Sequence, residues 1–198
     1  MADFKQAHRL TLAIEGGYSN DKDDPGGETF KGIARNYHPT WEGWEIIDNI
    51  KNKPCFPQCA MANHNLTKLE NSFYKKKFWD VMKLDYLVNQ RVANELYDSG
   101  VNIGWRKVAK WFQEALNLLN RDQKDYNDLV VDGAIGNKSL EAFKSYMNTG
   151  KFGSRSRDKN EQVIIKLLNY YQIHHYVSIT GSKPKFEKYI YGWIFNRA

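Results

Sequence analysis

Glu15, Asp21, Asp24 and Thr29 share one short stretch with two glycine pairs, Gly16-Gly17 and Gly26-Gly27. Cleaving a glycosidic bond calls for such a set. One acid must be kept protonated to donate to the leaving oxygen, and an ionised group must stand across the bond. A free glutamate titrates near about 4.3, so burial or a negative neighbour must raise it before it can serve as the acid. Glu15 ends an apolar-patterned run, where the partial negative charge of a helix C-terminus pushes in that direction. Ile14 and Tyr18 add apolar cover. Asp24 is the first choice for the ionised partner and Asp21 the second, with Asp23 and Glu28 weaker. The Thr29 hydroxyl can hold a nucleophilic water. Each residue also has a plain structural reading. Glu15 fits a solvated helix end, the aspartates fit turn caps, and the glycines fit turn positions. The oxygen ligands do not follow the EF-hand order, and no dinucleotide glycine pattern or P-loop occurs.

The elements around these residues read as mostly helical. Phe4, Ala7, Leu10 or Thr11, and Ile14 recur at helical spacing, so residues 3 to 15 form a helix capped by Asp3 and stopped by Gly16-Gly17. Asp23-Asp24-Pro25-Gly26-Gly27 is turn chemistry, and pieces around Tyr18 and Thr29 can pair across it as a small hairpin. The chain from 37 to 64 is irregular, with a short helix near Trp44 to Asn49. Further helices are expected over about 66 to 82, 88 to 98, 103 to 119, 138 to 147, 159 to 178 and 184 to 195. Asp132-Gly133-Ala134-Ile135-Gly136 is a tight turn, and 150 to 158 a polar, basic linker.

The 198 residues carry 29 Lys and Arg against 23 Asp and Glu, a net charge of +6. A basic surface suits an anionic polymer, be it nucleic acid, anionic lipid or bacterial wall. No motif for reading nucleic acid is present, so nucleic acid is not an expected partner. Lys75-Lys76-Lys77, the densest basic cluster, reads as the wet side of a helix. No apolar run is long enough to span a bilayer and no signal peptide is visible. Stable membrane insertion is therefore not expected. Cys55 and Cys59 read as two free thiols in a loop rather than a local disulfide. With His64 nearby they still lack the spacing of a zinc site, so no metal is expected. Trp79, Trp111 and Trp193 read as core, and His174 and His175 as structural.

The run Glu15-Gly16-Gly17-Tyr18-Ser19-Asn20-Asp21, then Asp24-Pro25-Gly26-Gly27-Glu28-Thr29 and Gly32-Ile33, resembles the signature of glycoside hydrolase family 108. That family contains lysozyme-like N-acetylmuramidases of phage endolysins and the bacterial proteins called secretion activators. The resemblance implies a mainly α, lysozyme-like fold with a small irregular or β-hairpin insert after the first helix. It also makes Glu15 the catalytic acid. Downstream, Val101 to Trp105, Gln113, Val131 to Gly136, Ser139-Leu140, Gly192-Trp193 and Asn196-Arg197 resemble the peptidoglycan-binding-like region that accompanies the family. Residues 1–94 are thus expected to form a catalytic lobe and 95–198 a helical wall-binding lobe, packed as one unit. Three departures stand out: Lys22 replaces the usual Pro, Ala34 stands where Thr or Ser is common, and the Cys55 to Cys59 insert has no counterpart.

The expected reaction is hydrolysis of the β-1,4 bond between N-acetylmuramic acid and N-acetylglucosamine by Glu15, Asp24, Thr29 and Asp21, without a cofactor. A glycan groove lays aromatic faces under sugar rings and polar groups on hydroxyls and acetamides. Tyr18, Tyr37, Trp41, Trp44 and Trp105 are candidates for the first role, and Asn20 and Asn102 for the second. Asn102 reads equally as a helix N-cap. The partner is the peptidoglycan strand, met by a monomer outside the cytoplasm that makes it. The rival readings are a non-catalytic wall-binding or secretion-associated protein and a lytic transglycosylase.

Overall fold

The computed structural model describes residues 1–12, 16–21, 24–149 and 156–197. The described chain is mainly α with one small antiparallel sheet, and it divides into two compact units. One comprises His8–Lys77. The other comprises Met1–Ala7 with Phe78–Ala198.

In the 8–77 unit, helix α1 (Phe4–Leu12, whose first residues belong to the other unit) leads to the sheet. Asp3 Oδ1 accepts the Lys5 N–H at 2.8 Å, the capping expected of it. The inward face carries His8 and Thr11, both buried, whereas Leu10 is half exposed. Buried polar groups need partners. His8 Nε2 lies 2.7 Å from Glu70 Oε1, a pairing the apolar pattern had no means of announcing. Strands β1 (Tyr18–Ser19), β2 (Thr29–Phe30) and β3 (Ile33–Ala34) pair antiparallel, with Tyr18 opposite Phe30 and Phe30 opposite Ile33. The hairpin across the aspartate turn is present, and β3 extends it. Lys31 and Gly32, both at positive φ, make the two-residue β2–β3 turn.

Helices α2 (Gly43–Ile50), α3 (Gln58–Met61) and α4 (His64–Tyr74) complete this unit. Asn63 caps α4, its side chain accepting from the backbone of Asn65 and Leu66. The helix expected over 66 to 82 stops being α at Tyr74 and widens into a π turn, Lys75–Trp79. Cys55 and Cys59 are joined in a disulfide, which corrects the reading of two free thiols. The Cys59 N–H bonds the Cys55 carbonyl at 2.9 Å, and that turn brings the two Cα atoms to 5.4 Å, within disulfide reach.

The second unit is built from α5 (Gln90–Ser99), α6 (Trp105–Leu119), α7 (Asn137–Asn148), α8 (Arg157–Ser182) and α9 (Glu187–Arg197). A π turn, Gly100–Gly104, joins α5 to α6. Trp79 is fully buried and meets Phe4 and Tyr97 edge-on at 5.7 Å each. Val108, Phe112, Ala115 and Leu116 are buried on one face of α6, which packs on α7 and α8, with the Phe112 ring 5.4 Å from that of Phe143. Each such large side chain contributes about 1.5–3 kcal/mol by leaving water. Trp193 is only half buried, set against Tyr176 at 5.2 Å, and α9 has no fully buried residue, so it is a rim position rather than core.

The Asp132-Gly133-Ala134 turn is locked by a single side chain. Gln113 accepts the Gly133 N–H at 2.9 Å and donates to Asp132 Oδ1 at 2.8 Å and to the Ala134 carbonyl. Gly133 sits at φ 77°, and a Cβ there would lie 2.8 Å from the Arg106 carbonyl oxygen. The motif therefore explains itself as a turn that fits against α6.

Glu95 is the unit's notable buried acid. Burial, then the charge of Asp98, raises its carboxyl to about 7. Ser99 Oγ lies 3.3 Å away, and Asn169, with its amide nitrogen turned inward, donates at 3.3 Å. Asp98 pairs with Arg197 at 3.0 Å, and burial raises the pKa of the Tyr176 phenol, with Asp98 and Glu95 close enough to add to the rise. A carboxyl raised by folding stabilises the fold fully below its ordinary value, and that contribution is lost as pH climbs through 4.5 to about 7. Glu95→Gln, which keeps the shape without the charge, is expected to raise the thermal midpoint at pH 8 by about 3–8 °C and to leave it nearly unchanged at pH 4. Calorimetry at the two pH values checks this, and equal shifts at both contradict it.

Candidate active site

The hairpin holds most of the residues singled out for chemistry. Asp24 is exposed and its carboxylate caps the turn: Oδ1 accepts the Gly26 N–H at 2.8 Å, while the Gly27 N–H returns to the Asp24 carbonyl at 2.8 Å. Gly26 is required here, since a Cβ would stand 2.9 Å from the Ala34 Cβ. Ala34, one of the departures noted above, is thus the neighbour that presses on this glycine. Asp21 is exposed, and its carbonyl accepts the Asp24 N–H at 3.2 Å. Thr29 is half buried and donates its hydroxyl proton to the Gly27 carbonyl at 3.1 Å. Its oxygen lone pairs remain able to accept, the role a water-holding hydroxyl needs.

Glu15 lies outside the described residues, as do Ala13, Ile14, Lys22 and Asp23. Leu12 and Gly16, the described residues that bracket this stretch of sequence, line a cavity of about 150 Å³ together with Gly17, Lys31 and Met61. The sheet is tied to this cavity through the backbone: the Lys31 N–H donates to the Gly17 carbonyl at 2.7 Å, and Tyr74 Oη donates to the Lys31 carbonyl at 2.8 Å.

A chain of polar contacts braces the hairpin from behind. Tyr18 donates its phenol proton to Glu28 Oε1 at 2.8 Å, and the Asn20 amide bonds the same phenol. Burial, then Glu28, push the phenol up to about 12. Arg35 Nε lies 2.7 Å from Glu28 Oε2, a close charge contact without hydrogen-bond alignment. The other end of the guanidinium makes two parallel bonds to Asp48, at 3.0 and 2.9 Å, and stacks 4.5 Å above the Trp44 ring. The bonds from Arg35, then Lys51, hold the Asp48 carboxyl at about 2. Phe56, inside the disulfide loop, packs edge-on against Tyr18 at 4.5 Å, which gives the Cys55 to Cys59 insert a place in this site. Of these residues the sequence had singled out Glu28 weakly and Arg35 and Asp48 not at all. Thirteen residues separate Arg35 from Asp48, and no local spacing rule pairs them.

The proposed sugar contacts divide. Tyr18 is half buried, and Asn20 and Tyr37 are exposed. Trp41 is half buried, stacked on Phe30 at 6.0 Å and edge-on to Trp44 at 5.1 Å. Trp44 is 4% exposed and donates Nε1–H to the His38 carbonyl at 2.7 Å, so its ring serves packing and offers no open face. Asn102 and Trp105 belong to the other unit. The exposed Asn102 is no N-cap, because it sits inside the π turn and its amide folds back to the Asp98 carbonyl at 2.7 Å. Trp105 is half buried with the Arg106 guanidinium 5.5 Å over its ring. The lysine cluster is less wet than its sequence suggests. Lys76 is exposed, but Lys77 is half buried, 3.0 Å from His38 Nε2 and 5.2 Å from the Phe73 ring.

Residues 8–104 match the family model described as Glycosyl hydrolase 108, and residues 107–198 match one described as a predicted peptidoglycan domain. The fold is shared with SagA of Brucella abortus, at a TM-score of 0.52 and 19% identity over 96% of this chain and 86% of that one.

Arg35→Gln is expected to cost about 1–3 kcal/mol in urea unfolding, the usual worth of hydrogen bonds to charged groups. It should also let the Asp48 carboxyl titrate higher. A depressed carboxylate stabilises the fold above its ordinary value and gives that up as pH falls toward 2. The wild-type protein should therefore lose an increment between about pH 4 and about pH 2 that the variant lacks. An NMR titration of Asp48 that is the same in both proteins contradicts this account.

Proposed function

We propose that this chain, which belongs over residues 8–104 to the glycosyl hydrolase 108 family and carries a peptidoglycan domain after it, is an N-acetylmuramidase that cuts the glycan strands of bacterial peptidoglycan. Glu15 protonates the leaving oxygen of the β-1,4 bond between N-acetylmuramic acid and N-acetylglucosamine. Asp24 stabilises the developing oxocarbenium charge, with Asp21 as the alternative. Thr29 orients water: its proton is committed to the Gly27 carbonyl, so its oxygen accepts from the incoming molecule. Tyr18, Asn20 and Trp41 are the sugar contacts in the 8–77 unit. Residues 95–198 act as the wall-binding part, with Asn102 and Trp105 contributing there. No cofactor takes part in these steps.

The observation that carries this reading is the hairpin in the matched region. It supplies an exposed carboxylate fixed by its own turn and a hydroxyl whose oxygen can accept, in the stretch that follows the glutamate the resemblance makes the acid. The Cys55–Cys59 disulfide supports a working place outside the reducing cytosol. Among the described residues no helix is long and apolar enough to cross a membrane.

Removing a general acid costs about a hundredfold or more. Glu15→Gln should therefore clear a suspension of purified cell walls at least about a hundred times more slowly than wild type, with an unchanged thermal midpoint. Clearing within about threefold of wild type would end the assignment of Glu15. A variant that still pellets with insoluble walls locates binding apart from cutting.

A further inference from the structure

The 8–77 unit contains a second cavity, of about 350 Å³, whose walls include Trp41 and Glu42 before α2, Ser72 and Phe73 at the end of α4, and Lys76 and Lys77 in the π turn. Its lining is charged in a way that neutral sugars do not call for. Two lysines and one glutamate line it, and Leu69, Trp41 and Phe73 supply its apolar part. Burial lowers the Lys77 pKa, and burial together with Lys77 lowers that of His38, which keeps the imidazole neutral beside the ammonium. Trp41 brings a further donor: its Nε1–H is buried with no acceptor among the described residues. The ring is held rigidly. It stacks on Phe30, and Gly43 must lack a side chain because a Cβ would come within 2.2 Å of the indole. The site therefore offers one unspent donor, the Trp41 Nε1–H, and a net positive charge from two lysines, with one carboxylate at its edge.

Within peptidoglycan the saccharides are neutral once the lactyl group of muramic acid is amide-linked. The free charges sit on the peptide stems, as carboxylates and, at diamino acids, as an amine beside a carboxylate. We propose that this cavity binds the diamino acid of the stem peptide, with Lys76 and Lys77 taking its free carboxylate, Glu42 the amine beside it, and Trp41 and Phe73 the aliphatic part. The inference rests on the reading of peptidoglycan as substrate. It makes the 8–77 unit selective for peptide-bearing strands over bare ones. The cavity lies beside the hairpin, since Trp41 stacks on Phe30 and Phe30 pairs with Tyr18 across β1 and β2.

The test uses the full chain and three probes: glycan fragments bearing tetrapeptide stems, the same fragments stripped of peptide by an amidase, and the free tetrapeptide. Calorimetry should find the peptide-bearing fragments bound at least about tenfold more tightly than the stripped ones, the size of one charge-assisted contact. Lys76→Glu, at an exposed position whose circular dichroism should match wild type, is expected to reduce that preference to less than about twofold while leaving stripped fragments bound as before. Lys76→Gln serves as a second, milder variant with an intermediate loss. Equal affinity of wild type for both fragments, or a preference that survives Lys76→Glu, overturns the proposal. Failure of the muramidase reading looks different: peptide-bearing strands remain uncut by wild type while the free tetrapeptide still binds.

Discussion

The hairpin depends on one cation. Arg35 touches Glu28 at the mouth of β2 and Asp48 on α2, and it lies flat on the Trp44 ring. Without it, Glu28, whose side chain is 10% exposed, would lose the cation beside it, and breaking a pair this little exposed is costly. With it, Glu28 can accept the Tyr18 proton, which fixes β1 to β2. The turn carrying Asp24 then closes against Ala34. The energy of the brace is concentrated at its inner end. The outer pair of Asp48 and Lys51 is well exposed and screened by water, so it adds little. Asp24 and Thr29 are held by backbone geometry and by this brace, not by an extended sheet, since each strand is only two residues long.

The other unit solves a similar problem with a neutral side chain. Gln113 reaches from α6 into the Asp132-Gly133-Ala134 turn with both ends of its amide used. A buried amide satisfied on both sides rigidifies its surroundings, whereas leaving either half unpaired costs about 1–3 kcal/mol. Motif residues such as Asp132 and Gly133 therefore earn their place by shaping the chain, and a wall-binding role for this unit has to be sought on its surface.

Much of the helical frame was legible because helical spacing of apolar residues survives folding intact. Val108, Trp111, Phe112, Ala115 and Leu116 mark α6 in the sequence and line its buried face. The β1–β2 hairpin could be read from the turn residues between Tyr18 and Thr29, whereas β3 was not read. Contacts between residues distant in sequence were not legible. The His8–Glu70 pair places two polar groups on faces that an apolar pattern assigns to hydrophobes, and the Arg35–Asp48 pair joins a turn to a helix. The π turn at Lys75–Trp79 escaped because its sequence has the same composition as an α-helix, and the extra residue per turn leaves no mark. The cysteine pair was misjudged because spacing alone does not tell that a turn will fold the two side chains together.

The central claim is that the chain hydrolyses the glycan strand on the reducing side of N-acetylmuramic acid. Mass spectrometry of the soluble fragments released from purified peptidoglycan tests it most directly. The account predicts disaccharide-peptides that end in a free, reducible N-acetylmuramic acid. Fragments ending in 1,6-anhydro-muramic acid, in reducing N-acetylglucosamine, or in peptides cut away from intact glycan would contradict it.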